Sequence, residues 1–298
     1  MAFTGKATYS DGTTFPELYE DVSDIIGIIS PFETPLLDHL GDPQRSANST
    51  VHEWTEDSPL NNRVRRTNYT QIFTATVEVS GSQLANRPIG LADEMDYQKQ
   101  ERLRELIRDL ENCVINGVPP KSNPQGDAST RRTMKGITSF LQTNVFTSGQ
   151  DGFPAGEGAG SNHLTEEQIN TALRRISEND SGSVDTIVVG GFQKRRINNF
   201  ILRSHGCGES SARFRDLVST YKSDFGVCRV ILSRWVPPDT VLLLDSSRID
   251  VLPLAGRSFG FKKLASTGDS ESGRLIGEYT LELRNEQCHG MIQGLEAY

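Results

Sequence analysis

Near its end the chain reads LASTGDSESGRLIGEYTLELRNEQCHGMIQGL, from Leu264 to Leu295, and this stretch constrains the fold more than any other. Leu275, Gly277, Tyr279, Leu281 and Leu283 form a mostly apolar row, while Ile276, Glu278, Thr280, Glu282 and Arg284 form a mostly polar one. A period of two is that of an antiparallel strand with one face on a core and the other in water. Asn285 and Glu286 are placed to turn the chain, and His289 to Gln293 to return as a second strand or a short edge. A strand with one apolar face needs a partner, so the last residues come back to a core that earlier segments have built.

The strongest helical pattern runs from Asp93, an N-cap, to Asn116, and is ended by Gly117, Pro119 and Pro120. Leu103, Leu106, Ile107, Leu110, Cys113 and Val114 recur at spacings of three and four, a single stripe on an otherwise charged rod. Such a helix, about 36 Å long, is a spine for other elements. Leu281 and Leu283 are expected to pack on it near Leu103 to Leu110.

Before the helix, residues 1–48 carry short apolar patches separated by Pro16, Pro31, Pro35 and Pro43, which predicts an extended arm with one helix over Leu18 to Ile29. Thr50 to Glu56 and Tyr69 to Ser80 read as strands joined by a polar connection, SPLNNRVRRTN, with Arg63, Arg65 and Arg66 near its tip. After the helix, RRTMKGITSFLQTNV predicts a short helix and strand, and DGFPAGEGAGSNH a linker. Thr165 with Gln168 then forms a capping box for a helix to about Glu178. Val184 to Val189, Gln193 to Leu202, Val227 to Leu232 and Val241 to Leu244 alternate strand, helix, strand, strand, which makes residues 164–262 an α/β unit with a loop at GCGESSARF.

Composition bounds the function. At 298 residues, 35% of them hydrophobic, the chain is long enough to bury one large or two ordinary cores. A net charge of -8 opposes a main task of neutralising phosphates, though it allows a shell whose inner face meets nucleic acid loosely. Cys113, Cys207, Cys228 and Cys288 form no C-x-x-C pair and read as reduced intracellular thiols. The first residues lack a signal-peptide pattern and no window approaches a membrane span, so synthesis and use in a cytoplasm are expected.

No chemical motif closes. Gly156, Gly158 and Gly160 lack the fourth glycine position and the Lys-Ser/Thr of phosphate loops; Ser219 and Lys222 match only S-x-x-K; His205 and Cys207 have no third ligand; His39, His52, His163 and His289 are scattered. No catalytic, cofactor or metal residues are assigned. The conspicuous features are architectural.

Six stretches add a resemblance: SPFETPLLDHLG from Ser30, STVHEWTED from Ser49, NYTQIFTATVEVSGSQ from Asn68, DTIVVGGFQKRRINNF from Asp185, YKSDFGVCRVILSRW from Tyr221, and LASTGDSESGRLIGEYTLELRNEQCHG from Leu264. Their order and spacing resemble the major capsid, or major head, protein of tailed bacteriophages with the Hong Kong ninety-seven type fold. The resemblance implies an α+β chain: an N-terminal arm over 1–48, an extended β-hairpin loop over 49–90, a peripheral domain over 91–163 plus 263–298 with its spine helix at 93–116, and an α/β axial domain over 164–262. The terminal strands are expected in the peripheral sheet. The connection SPLNNRVRR is shorter than in the family.

Further implications are pentamers and hexamers building an icosahedral head around double-stranded DNA that touches the inner face non-specifically. Portal, decoration or scaffolding proteins would be partners, with no membrane, and the location would be the virion after synthesis in a host bacterium. Trp54, Arg63, Arg65, Arg66, Tyr69 and Phe73 are the candidate intersubunit contacts. Competing expectations are an encapsulin-like cellular compartment with a cargo enzyme, and an α/β enzyme using the middle domain.

Overall fold

The computed structural model describes residues 33–57, 63–85, 94–118, 125–127, 129, 131–158, 162–179, 183–204, 220–265 and 268–297. Its elements run α1 (Pro35–Leu40), β1 (Val51–Asp57), β2 (Arg63–Tyr69), β3 (Gln71–Ser80), α2 (Gly81–Ala85), α3 (Glu94–Asn116), α4 (Ile137–Phe140), β4 (Val145–Thr147), α5 (Glu166–Asn179), β5 (Thr186–Val189), α6 (Gly191–Ser204), β6 (Thr220–Ser223), β7 (Gly226–Leu232), β8 (Val241–Leu244), β9 (Ile249–Pro253), β10 (Gly260–Lys263), β11 (Ser270–Leu283) and β12 (Gly290–Gln293). The expected helix at Leu18 to Ile29, the Asp93 cap and the GCGESSARF loop lie outside the described residues.

The predicted stripe of the long helix is buried at all six positions. Gly117 ends it in the left-handed region, φ 66°, with its amide donating to the Cys113 carbonyl at 2.8 Å. A Cβ there would meet the Gly136 amide nitrogen at 2.5 Å, so both backbone conformation and space require glycine.

Against this helix lies a four-stranded sheet in which β11 pairs antiparallel with β3, β10 and β9. Leu281 and Leu283, 0% and 1% exposed, belong to the same apolar cluster as Leu103, Leu106, Ile107 and Leu110, as the terminal pattern requires. A six-stranded mixed sheet follows in the order β4-β12-β8-β5-β7-β6. Its central strands TIVV and VLLL are buried throughout. Val188, Leu242 and Leu244 face the cluster of the long helix, while Ile187, Val189, Val241 and Leu243 face a second cluster with α5 and α6. Covering on both sides explains why these strands are continuous apolar runs.

Three expectations are corrected. The last strand, β12, does not join the sheet beside the long helix: Asn285, at φ 53°, turns the chain, and β12 enters the six-stranded sheet between β4 and β8. The linker is not free chain, because Phe153 is 4% exposed and stacks on Phe146 at 5.2 Å. The connection of the first two strands is largely strand itself: RVRRTNY forms β2, paired with β1 from Val51↔Tyr69 to Asp57↔Arg63, so residues 69–80 continue from the hairpin instead of closing it. The capping box forms in full, with Gln168 N donating to Thr165 Oγ1 at 3.2 Å and Thr165 N to Gln168 Oε1 at 3.0 Å.

Gly277 marks the tightest packing on β11. A Cβ there would fall 2.4 Å from Phe259 Cδ1, in a ring cluster where Phe259 lies 4.7 Å from Tyr279 and 6.3 Å from Phe73. Gly277→Ala is therefore expected to cost about 1–3 kcal/mol through overpacking. Gly191→Ala, which meets nothing within 4 Å, is expected to be neutral or slightly stabilising. Equilibrium denaturation of the two variants checks the contrast.

Candidate assembly surface

Alternation along the hairpin sorts its residues onto two faces. His52, Trp54, Glu56, Arg66 and Asn68 look toward the body, and Glu53, Thr55 and Arg65 look away. Trp54, 8% exposed, lies 5.8 Å from Phe140 and 5.7 Å from His52, and its Nε1 donates to Glu56 Oε1 at 3.0 Å. Arg66 reaches Glu56 at 3.2 Å and Glu286 at 3.6 Å. Arg65 pairs with Glu53 on the outer face. The three arginines expected at a solvated tip are thus on a strand; Arg65 and Arg66 point to opposite sides.

At the root the hairpin is fastened by polar bonds. Asn68, fully buried, donates from Nδ2 to the carbonyls of Leu281 at 2.8 Å and Lys135 at 3.2 Å, and its Oδ1 accepts from Lys135 N at 2.9 Å. Thr70 donates to Glu278 Oε1 at 2.5 Å. Tyr69 is half-buried, and Phe73, 5% exposed, sits in the ring cluster with Phe259. Trp54 and Phe73 therefore spend their rings inside the protomer.

The polar row of β11 does not face water. Glu278 and Glu282 are 2% and 3% exposed and Thr280 is fully buried. Glu278 is held by Arg132 at 2.7 Å and Arg257 at 2.9 Å. Glu282 is held by His52 at 2.6 Å and Arg45 at 3.3 Å. Burial would raise the Glu282 carboxyl, but His52 and Arg45 outweigh it and hold the group below its ordinary value. Its stabilisation is present at neutral pH and lost on acidification.

Glu33, which precedes α1, pairs with Arg108, which holds its carboxyl down. One turn along α3, fully buried Glu111 accepts from Ser233 Oγ at 3.0 Å. Burial pushes its carboxyl up to about 7 against the pull of Ser233 and the Leu36 and Leu37 amides. His39 bonds Thr186 Oγ1 at 2.8 Å through Nε2 and accepts from Arg229 at 3.2 Å through Nδ1.

Among the described residues no group of three His, Cys, Asp or Glu is arranged for a metal ion, and no helix is long and apolar enough to cross a membrane. His205, Cys207, Ser219 and Gly160 lie outside the described residues. Gly156 serves a backbone bridge, Glu157 with His163, where a Cβ would meet Asn162 C at 2.6 Å.

A model of the SU10 major capsid protein family matches residues 4–61 and 58–296. The chain belongs to that family. A curated major capsid protein of Escherichia phage Phieco32 is 27% identical over 111 residues, a match that spans 31% of each chain. Among solved structures, a chain of Mycobacterium phage Bobi has a TM-score of 0.56 at 14% identity, covering 97% of this chain and 99% of its own. The cyanophage A-1(L) capsid asymmetric unit gives 0.57 at 12% identity over 89% and 93%. The holo-SrpI encapsulin complex from Synechococcus elongatus gives 0.58 at 10% identity over 85% of each. At these identities the likeness is one of fold, and the fold is the Hong Kong ninety-seven capsid type.

In this SU10-family chain the buried carboxylates Glu111, Glu278, Glu282 and Glu286 escaped the sequence analysis, because an acid at alternate strand positions or within a charged helix looks like an exposed one. For Glu278 and Glu282 the partners are Arg45, Arg132, Arg257 and Arg284, scattered over four segments; Glu286 is met by Arg66, and Glu111 by the Ser233 hydroxyl. Replacing Glu278 by Ala is expected to cost about 2–4 kcal/mol, since it strands Arg132 and Arg257. Glu53→Ala, which removes an exposed pair, is expected to cost under about 1 kcal/mol in the same urea titration.

Glu111 gives a pH signature. Its folded value, about 7, lies above the ordinary 4.5, so the stabilisation is present at low pH and lost as pH rises through 7. Glu111→Gln abolishes that loss, which is on the order of 3 kcal/mol. The variant's melting temperature relative to wild type is expected to climb between pH 5 and pH 8.

Proposed function

We propose that this protein is the major capsid protein of a tailed bacteriophage, a structural subunit without catalytic role that assembles into pentamers and hexamers and so builds the icosahedral head around double-stranded DNA. The observation that carries this is a family match running through nearly the whole chain, residues 4–61 and 58–296. In this reading the α3 spine and the sheet containing β11 form the peripheral domain, built mainly from 91–163 and 263–298. Residues 164–262 supply most of the axial domain, and 1–48 with 49–90 act as arm and extended loop.

The outer hairpin face supports a contact role. Arg65 is exposed on the outer face and Val64 on the other, while Trp54 and Phe73 pack within the protomer; in this reading the intersubunit contacts are made first by Arg65, Val64, Arg66 and Tyr69, with Arg63 beside them. Many weak polar contacts become strong when repeated around closed symmetry. Packaged DNA on the inner face, a portal, and decoration or scaffolding proteins complete the partner set; the protein would be made in the host cytoplasm and reside in the virion.

The likeness to the encapsulin complex favours one second reading, a cellular compartment shell. Negative-stain microscopy of the purified full chain is expected to show closed shells or capsomers, and removal of residues 58–62 to lower shell yield without lowering the protomer's melting temperature. Shells from infected cells holding duplex DNA agree with the phage reading, and shells holding a single cargo protein with the compartment. A uniform dimer or tetramer with substrate turnover would overturn both.

A further inference from the structure

Among the cavities of the described residues, the one with the most charged lining lies on α6. It measures about 300 Å³ and is lined by His163, Phe192, Arg195, Arg196 and Asn199. Four of these five lie on the face of α6 formed by positions i, i+3, i+4 and i+7, and His163 closes the opposite wall beside Glu296, 3.7 Å away. The Phe192 ring stands between the His163 ring at 6.1 Å and the Arg196 guanidinium at 5.8 Å. Among the described residues neither Arg195 nor Arg196 forms an ion pair with a carboxylate, a state they share with Arg131, Arg175, Arg229, Arg234 and Arg274, but only these two stand on one wall of a cavity beside an aromatic ring. The cavity is lined by cationic and aromatic side chains, which suits a carboxylate that arrives with an aromatic ring.

The same chain carries that combination elsewhere. At the turn between β6 and β7, Asp224 is exposed without an ion pair among the described residues, Phe225 is 41% exposed, and Val227 beside them is 58% exposed. An acid followed by two exposed apolar side chains at the tip of a turn offers a charge and a ring that match the lining of the cavity.

Topology keeps the two features apart within one protomer. β5 and β7 are parallel, with Thr186 beside Arg229 and Val189 beside Leu232. α6 begins at Gly191, just beyond the finish of β5, and β12 ends at the same edge, because Val241 pairs with both Val189 and Ile292. The Asp224–Phe225 turn feeds the start of β7, at the opposite end of a strand about 23 Å long. A knob at one end of a sheet and its complementary socket at the other form a heterologous pair, which builds a ring wherever the rotation between neighbours closes.

We propose that the α6 cavity is the socket of a head-to-tail contact between copies of this chain, and that the Asp224–Phe225 turn of the neighbour enters it. Asp224 pairs with Arg195 and Arg196, and Phe225 packs on Phe192. This inference rests on the shell reading and names the residues of one of its contacts. The socket admits a side chain; it is too small for a nucleic-acid duplex, and the net charge of -8 does not favour one.

The test is a charge swap in the full chain, read by sedimentation and microscopy at moderate salt. Asp224→Arg alone, and Arg195→Asp with Arg196→Asp, are each expected to cut capsomer yield at least about tenfold while the protomer's melting temperature stays at the wild-type value. Combining the three substitutions is expected to restore capsomers. Wild-type yield from either partial variant, or failure of the combined swap to restore it with folding unchanged, overturns the contact and leaves the shell reading standing. Unchanged assembly together with lost binding to a duplex DNA probe would make the cavity a nucleic-acid site and overturn it too. A wild-type chain that forms no capsomers under any condition removes the shell reading itself.

Discussion

Burial of both faces of β11 from Gly277 to Leu283 is the constraint on which the architecture depends. One buried face already resists a one-residue slip, and here the second face resists it too, because Glu278 and Glu282 are almost as buried as Leu281 and Leu283. Carboxylates in such a place must be met by cations. They come from segments far apart in sequence: Arg45 before the hairpin, His52 on β1, Arg132 after the long helix and Arg257 after β9. Desolvation offsets much of the Coulombic gain, so the net stabilisation is modest. Register is what the arrangement secures. A shift of one residue would turn Glu278 and Glu282 onto the long helix and Leu281 onto the arginines, and no neighbouring register repairs that.

The second constraint is the double covering of the six-stranded sheet. TIVV and VLLL send alternate side chains to two clusters, one shared with the long helix and one with α5 and α6. Through Val188, Leu242 and Leu244 the two sheets share a core. β4 and β12 join this sheet although the chain around them reads as part of the other, because β12 leaves β11 through a turn and needs hydrogen-bond partners that β8 supplies.

Periodicity made the elements legible and left their neighbours obscure. The stripe from Leu103 to Val114, the Thr165–Gln168 box and the apolar runs at 186–189 and 241–244 are each decided within a few residues, so local sequence reports them. In SPLNNRVRRTN, Pro59 and the doubled Asn mark a connection, and nothing local shows that its second half, RVRRTN, is strand; pairing with β1 makes it one. The polar row of β11 was misjudged for another reason. Its period was right, but what covers Glu278 comes from Arg132 and Arg257, well outside any local window. Trp54 and Phe73 lie on the strands expected to project, but their ring neighbours, Phe140 and Phe259, come from segments that no local window shows.

The knot at Asn68 has a mechanical consequence. One side chain grips the Leu281 carbonyl and both backbone groups of Lys135, with Thr70 tied to Glu278 just beyond it. A ribbon clamped in this way is a lever, with strands about 23 Å long, and its pivot lies inside the apolar core. Those bonds tie the base of the hairpin to β11 and to Lys135, so a load on the hairpin would pass first to these two segments. Curvature imposed by neighbours would then be borne by the whole protomer, tilting as one rigid piece.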